Sequence, residues 1–280
     1  MNLKFAYAEA VKFTRSHYEN FPVVSFLIPK ELRKHVAIIY WFARTADDFS
    51  DEGTLTPEER MQKLNEFEIR LSELLKGNYS NNLEFALYST IIEKNLSQMH
   101  FYNLLKAFKQ DVIKKRYNNF KELLNYCNNS ANPVGRLILE LYGIRDDEAM
   151  KYSDAVCTAL QLTNFWQDTL PDYQKGRIYF ALSDMEKFGV NENIFELKKN
   201  NFNLKELVKY NIDSTEKLFE DGKNLLAFLR GRLKFEIKWT ILGGKKILDK
   251  IRRNDYDVLN YRPLITKKDI FILLTKSIFY

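Results

Sequence analysis

The sequence predicts an all-α protein, and two observations carry that prediction. Apolar residues recur three and four positions apart along most of the chain, the spacing of one buried face of a helix, as in Leu64, Phe67, Leu71, Leu74 and Leu75. The 280 residues include only 10 Gly and 6 Pro, under half of the roughly 12% that average usage supplies. Tight turns are therefore too scarce for a β-sandwich or a barrel.

The predicted helices are separated by short segments in which Gly, Pro, Asn and Ser cluster. These breaks fall at residues 21–29, 53–57, 77–82, 128–133, 171–176 and 189–193. One helix has a defined start, because Thr56 is placed as N-cap, Pro57 as first residue and Glu59 as the capping-box partner. Pro171 is expected to kink its helix, since proline removes a backbone hydrogen bond. With no internal repeat and no Pro/Gly/Ser-rich linker, we expect a single domain over residues 1–280.

Composition excludes several classes of protein. With 45% hydrophobic and 14% aromatic residues, the chain has ample material for a core, which excludes intrinsic disorder. Two cysteines are too few for a disulfide framework and favour a reducing compartment. The longest apolar run, residues 36–43, is far short of the roughly 20 residues that a bilayer needs, and the first turns are charged where a signal peptide is apolar. We expect a cytoplasmic protein.

Basic residues are concentrated towards the C-terminus. Residues 223–280 contain 14 Lys and Arg against 5 Asp and Glu, although the whole chain carries only +6. Nucleic acid is not an expected partner, because no zinc-finger spacing or RNA-binding aromatic signature accompanies the charge. The apolar run at residues 270–274, flanked by lysines, has the composition of an interfacial helix. We expect peripheral contact with the inner membrane face; the alternatives are a solvated lysine-rich face and a helix packed into the bundle.

Two distant segments each place polar side chains on one helical face. In the first, the positions step by four, three and four: Tyr40, Arg44, Asp47 and Asp51. In the second, they step by three, four and four: Gln161, Asn164, Asp168 and Asp172. We call these the first and second acidic stripes. Each contains two carboxylates one helical turn apart.

Carboxylates at i and i+4 repel each other and weaken their helix unless a cation or a basic residue lies against them. Their hard oxygen ligands suit Mg²⁺, which takes one or two carboxylates and completes its shell with water and substrate phosphates. The stripes therefore indicate Mg²⁺ as cofactor and a diphosphate as substrate. The alternative is that these acids are solvated surface residues.

The acidic segments also carry a resemblance to a known family. Residues 47–52 (DDFSDE) and 164–172 (NFWQDTLPD) resemble the two aspartate-rich motifs of the squalene and phytoene synthase family. The similarity runs from about residue 15 to residue 265, and includes residues 17–21 (HYENF), 27–29 (LIP), 134–135 (VG) and 176–180 (GRIYF). Within the family, the chain looks most like the bacterial hydroxysqualene synthase branch of hopanoid biosynthesis.

The resemblance implies a fold, a reaction and a set of site residues. The fold is an isoprenoid synthase helical bundle around a deep central cavity, with the acidic motifs facing each other at its mouth. The reaction is the conversion of presqualene diphosphate to hydroxysqualene with loss of diphosphate. The resemblance assigns catalysis to Asp47, Asp51, Asp168 and Asp172, and Mg²⁺ binding to these four together with Asn164. It assigns substrate contacts to His17, Tyr18, Glu19, Asn20, Phe21, Tyr40, Arg44, Tyr126, Gln161, Gln167, Arg177, Tyr179 and Tyr256.

One departure from the family bears on the substrate. Condensing members commonly have Arg just before the second acidic pair, whereas this chain has Gln167. Two alternative functions therefore stay open beside the hydroxysqualene reaction. One is the head-to-head condensation of two farnesyl diphosphates to presqualene diphosphate, dehydrosqualene or squalene. The other is a non-catalytic assembly or binding protein of the same fold, against which the intact carboxylates argue.

Overall fold

The computed structural model of the protein describes residues 2–16 and 28–279, with side chains for residues 2–14 and 28–276. Within these ranges the chain is helical, with no strand, which confirms the all-α prediction. No helix in the described ranges has both the length and the apolar character to cross a membrane. The chain divides into two compact units, residues 1–113 with 133–150 and residues 114–132 with 151–280. That the chain forms one domain stays a prediction.

The first unit is built around one long helix that follows Pro29. Its helices are α1 (Leu3–Ser16), α2 (Lys30–Asp51), α3 (Pro57–Leu75), α4 (Asn82–Glu93), α5 (Gln98–Ile113) and α7 (Asn132–Leu141). α2 contacts α1, α3, α4 and α5. Its buried Phe42 stacks on Phe67, with ring centroids 5.1 Å apart, and meets Phe101 edge-on at 5.2 Å. The apolar face of α2 thereby fixes the direction of its polar face.

The second unit contains the remaining helices. They are α6 (Phe120–Ser130), α8 (Asp147–Gln167), α9 (Thr169–Gln174), α10 (Leu182–Lys187), α11 (Asn193–Glu196), α12 (Phe202–Gly222), a 3-10 helix (Lys223–Ala227), α13 (Gly231–Arg253) and α14 (Lys267–Phe279). Glycines let α12 approach α8, and α13 approach α12, closely. A Cβ added at Gly222 would lie 2.6 Å from a methyl of Val156, and one at Gly244 would lie 2.5 Å from the Phe219 ring.

Most of the predicted helix boundaries are confirmed. Thr56 caps α3: its hydroxyl accepts from the Glu59 amide, and the Glu59 carboxylate accepts from the Thr56 amide at 2.8 Å. The breaks near residues 53–57, 77–82, 128–133 and 189–193 separate helices as expected. The break predicted at residues 171–176 is wrong in its first part, because α9 continues to Gln174. The break predicted at residues 21–29 lies mostly outside the described residues.

Candidate functional site

The first acidic stripe lies on the last three turns of α2, in the first unit. Tyr40, Arg44, Asp47 and Asp51 all belong to this helix, so their steps of four, three and four place them on one face. All four are partly exposed. Neighbouring Phe42 and Ala46 are buried on the opposite side. The predicted stripe is therefore a real feature of the helix surface.

Arg44 compensates the charge of the carboxylates around it. Its Nη1 lies 3.2 Å from Asp47 Oδ2 and its Nε lies 2.8 Å from Asp48 Oδ1. Its Nη2 lies 3.6 Å from Glu52 Oε1. One guanidinium thus faces three carboxylates, which leaves the end of α2 with an excess of negative charge. Such a surface attracts a further cation.

Arg60, on α3, supports the same helix end and was not identified by sequence reasoning. It donates to four backbone carbonyls in the last turn of α2 and directly after it: Phe49 at 3.3 Å, Glu52 at 3.0 Å, Gly53 at 3.0 Å and Leu55 at 3.2 Å. The last carbonyls of a helix lack partners within the helix, and a cation there also offsets the helix dipole. Arg60 thereby holds the turn that follows Asp51.

The second acidic stripe lies across the junction of α8 and α9, in the second unit. α8 ends at Gln167, Asp168 is the N-cap position of α9, and Asp172 is in the first turn of α9. The backbone keeps helical hydrogen bonds through the junction: the Asp168 amide donates to the Asn164 carbonyl and the Asp172 amide to the Asp168 carbonyl, both at 2.8 Å. Asn164, Asp168 and Asp172 are therefore one turn apart despite the break.

Pro171 disturbs its helix as expected, and the break lies one turn before it, at Asp168 between α8 and α9. It lies at the third position of α9, in the first helical turn, where a backbone N–H is not required by the helix. Because proline cannot donate to the Gln167 carbonyl, α8 ends at that residue. The proline thus shapes the junction between two helices and leaves the stripe intact.

Two contacts join the second stripe to the segment that links α13 and α14. Arg262 forms a bidentate ion pair with Asp168, with Nε 2.5 Å from Oδ1 and Nη2 3.1 Å from Oδ2. Gln167 is buried, 2% exposed, and donates its amide Nε2 to the Pro263 carbonyl at 2.6 Å. Arg262 was not among the residues identified from the sequence. Gln167 was expected to contact substrate, and in this structure its amide holds the backbone beside Arg262.

An aromatic cluster lies directly beside the second stripe. Phe165 stacks on Tyr179 with ring centroids 3.6 Å apart and planes 7° apart. Tyr126 lies 6.0 Å from Phe165, and Tyr117 lies 5.8 Å from Tyr179. A cavity of about 10 Å³ adjoins the stack and is lined by Asp172 among others, which is room for about one water molecule. Tyr126 and Tyr179 are thus brought together as buried neighbours of Phe165.

The loop that carries Arg177 and Tyr179 is held by backbone contacts and by Arg116. The Arg177 amide donates to the Asp172 carbonyl at 2.8 Å. Arg116 donates to the Gly176 carbonyl at 2.6 Å and pairs with both carboxylate oxygens of Glu192 at 2.7 Å. Hydrogen bonding to Glu192 raises the pKa of Arg116, and the reciprocal bond lowers the pKa of Glu192. Glu192 is a further residue that sequence reasoning missed.

The remaining residues that were predicted to contact substrate lie on several different elements. Gln161 lies on α8 and is half-buried. Tyr40 lies 6.3 Å from Phe13 between ring centroids. Tyr256 follows α13 in a left-handed conformation, with φ +58°. The predicted contacts at His17, Tyr18, Glu19, Asn20 and Phe21 lie outside the described residues, and the deep central cavity stays a prediction.

The donor chemistry of both stripes fits Mg²⁺. Each offers two carboxylates one turn apart, and the second adds the exposed amide oxygen of Asn164. Within the described ranges no three His, Cys, Asp or Glu side chains converge on one metal position. Mg²⁺ needs only one or two carboxylates, since water and phosphate oxygens complete its octahedron. The metal role of Asp47, Asp51, Asn164, Asp168 and Asp172 remains a prediction.

The chain belongs to the squalene/phytoene synthase family, which it matches over residues 14–269. It is accordingly an isoprenoid synthase of the prenyltransferase type. The chain is 29% identical to the hydroxysqualene synthase of Sinorhizobium fredii over 239 residues, which cover 85% of this chain and 80% of the relative. It is 28% identical to the 15-cis-phytoene synthase of Synechocystis, with 96% of this chain and 83% of the relative covered.

Solved structures show the same fold. The crystal structure of squalene synthase HpnC from Alicyclobacillus acidocaldarius aligns with a TM-score of 0.86 at 36% identity, covering 91% of this chain and 96% of that one. A dehydrosqualene synthase solved in complex with ligand aligns with a TM-score of 0.88 at 22% identity, covering 99% and 97%. The predicted isoprenoid synthase helical fold is confirmed.

Proposed function

We propose that the protein converts presqualene diphosphate to hydroxysqualene, releasing diphosphate, in hopanoid biosynthesis. The observation that carries this proposal is the combination of two intact acidic stripes with similarity to hydroxysqualene synthases. Two such relatives, from Sinorhizobium fredii and Zymomonas mobilis, are 29% and 38% identical to the chain over 239 and 174 residues. The complete carboxylate set argues against a binding protein that has lost catalysis.

The acidic stripes would serve the leaving diphosphate. Asp47, Asp51, Asn164, Asp168 and Asp172 would hold Mg²⁺, which when bound neutralises the leaving group as a Lewis acid. Arg44 would add a fixed positive charge from α2, and its planar donors match phosphate oxygens. Cleavage of the carbon–oxygen bond then leaves a cyclopropylcarbinyl cation on the substrate.

The aromatic cluster would protect that cation from random capture. Phe165 and Tyr179 present stacked rings beside the second stripe, and a ring face attracts a cation with roughly 0.5–2 kcal/mol. The resemblance adds Tyr40 and Phe21 to this aromatic set, whereas Trp166 is fully buried against Phe180. One positioned water captures the rearranged cation as the hydroxyl of the product, and its proton is released.

Removal of a stripe carboxylate should stop diphosphate release without unfolding the protein. Asp47→Ala and Asp168→Ala each remove a partly exposed charge from a helix face of like charges, so the midpoint of thermal unfolding should stay within a few degrees, about 1 kcal/mol. Product formation should fall at least about 100-fold, since charge stabilisation of this kind contributes several kcal/mol.

The control is Glu148→Gln, which changes an exposed carboxylate in the first turn of α8. Near-normal turnover by either alanine variant, or by wild-type protein in EDTA, would contradict the assignment.

Substrate choice separates the proposed reaction from the condensing alternative. A condensing enzyme must stabilise two diphosphates in succession, and Gln167 supplies no charge for this at the position where condensing members commonly have Arg. With Mg²⁺ and separate substrates, kcat/KM for presqualene diphosphate should exceed that for farnesyl diphosphate at least about tenfold, a difference of about 1.4 kcal/mol in the activation free energy. Faster consumption of farnesyl diphosphate would assign the protein to head-to-head condensation.

Helix α14 is the proposed contact with an anionic bilayer, which makes the enzyme a peripheral protein of the cytoplasmic membrane face. One side packs on α13: Leu273 is buried, and Asp269 accepts from Lys250 at 2.5 Å. The other side exposes Phe271, 70% accessible, and Ile270. Lysines 267 and 268 lie at the helix start and are also exposed. An apolar patch beside lysines fits the surface of an anionic membrane.

Liposome sedimentation tests this contact. The protein should bind anionic vesicles and not neutral ones, and each lysine near the surface should contribute about 1 kcal/mol at low salt. The double variant Lys267→Glu/Lys268→Glu should therefore bind at least about tenfold more weakly, and added salt should act in the same direction. The control, Lys12→Glu/Lys106→Glu, changes two exposed lysines of the first unit. Equal, negligible binding to both vesicle types would leave α14 as a solvated basic face.

A further inference from the structure

Both oxygens of Asp168 are engaged by one guanidinium. Arg262 lies 94 residues further along the chain, yet it meets the carboxylate in the two-bond geometry that gives the strongest arginine–carboxylate contacts. The carboxylate carries one negative charge, so a single arginine neutralises it. A divalent cation that approaches Asp168 therefore meets a positive charge already in place.

The backbone directly after Arg262 is held by two contacts. Gln167 donates to the carbonyl of the next residue, Pro263, at 2.6 Å in a buried setting. Lys250 donates to the Leu264 carbonyl at 2.7 Å. These contacts come from two elements, α8 and α13, and together they fix the backbone that presents Arg262 to Asp168.

The ion pair itself remains exchangeable. The Asp168 side chain is 28% exposed and that of Arg262 is 45% exposed. Partly exposed pairs contribute little net stability, because water competes for both charges. A cation with favourable hydration and phosphate ligands can therefore displace the guanidinium from the carboxylate.

We infer that Arg262 is an internal counter-ion that competes with divalent metal for Asp168. The charge of Asp168 is thereby balanced when no metal is bound, and metal binding at this carboxylate exchanges one cation for another. Arg262 is a positioning residue in this scheme, acting through Asp168, and Gln167 positions the backbone beside it. The inference rests on the proposed metal role of Asp168.

The experiment measures Mn²⁺ binding, by calorimetry without substrate, to full-length wild-type protein and to variants. Arg262→Gln should bind Mn²⁺ about two- to fivefold more tightly, since an exposed pair contributes up to about 1 kcal/mol. Arg262→Lys keeps the charge and loses the two-bond geometry, so its affinity for Mn²⁺ should lie between those of wild type and Arg262→Gln. The matched control is Arg253→Gln, which removes the same charge from an exposed pair with Asp249 at 3.0 Å. It should bind Mn²⁺ like wild type.

A double variant shows whether the effect passes through Asp168. Arg262→Gln combined with Asp168→Asn should bind Mn²⁺ no more tightly than Asp168→Asn alone. The inference is overturned if Arg262→Gln and Arg253→Gln bind Mn²⁺ with the same affinity. It is also overturned if Arg262→Gln still tightens Mn²⁺ binding when Asp168 is replaced by Asn. These outcomes are separate from the proposed reaction, because hydroxysqualene formation is measured with substrate. If hydroxysqualene forms but Arg262→Gln does not change the affinity for Mn²⁺, only the inference fails. If Arg262→Gln binds Mn²⁺ more tightly but no hydroxysqualene forms, only the proposed reaction fails.

Discussion

Arginine side chains compensate part of the negative charge of both acidic stripes. Carboxylates one turn apart destabilise a helix, and each stripe has an arginine that offsets this cost. Arg44 comes from the stripe's own helix and contacts Asp47 and Asp48, whereas Arg262 reaches Asp168 from a distant segment. Guanidinium groups thus offset the repulsion within each stripe, so that the carboxylates can stay grouped on one helix face.

The helices that bear the stripes are anchored by apolar and buried polar contacts on their other faces. In the first unit Phe42 fixes α2 against two further phenylalanines. In the second unit the indole N–H of Trp166 donates to the Thr215 hydroxyl at 2.9 Å, and a buried bond of this kind is costly to break. Rigid anchoring on one face allows repelling groups to be kept on the other, because the core supplies the stability that the stripes reduce.

Local features could be predicted from the sequence, and contacts between distant residues could not. The stripe of Tyr40, Arg44, Asp47 and Asp51 follows from helical spacing, and the cap at Thr56 follows from a four-residue pattern. Pro171 predicts a disturbed helix, but spacing does not say where one helix ends and the next begins, so the break at Asp168 could not be placed from the sequence. Arg60 and Arg262 were missed because each acts on backbone or side chains of another element. No periodicity connects residue 168 to residue 262, and only the folded chain brings them together.

The proposed reaction ionises a carbon–oxygen bond and then adds water to the carbon. Incubation with presqualene diphosphate and Mg²⁺ in H₂¹⁸O, followed by mass spectrometry of both products, tests it directly. We expect hydroxysqualene carrying one ¹⁸O in its hydroxyl group and diphosphate without label, because the bridging oxygen leaves with phosphorus. Labelled diphosphate together with an unlabelled alcohol would show cleavage at phosphorus and would rule out the proposed ionisation.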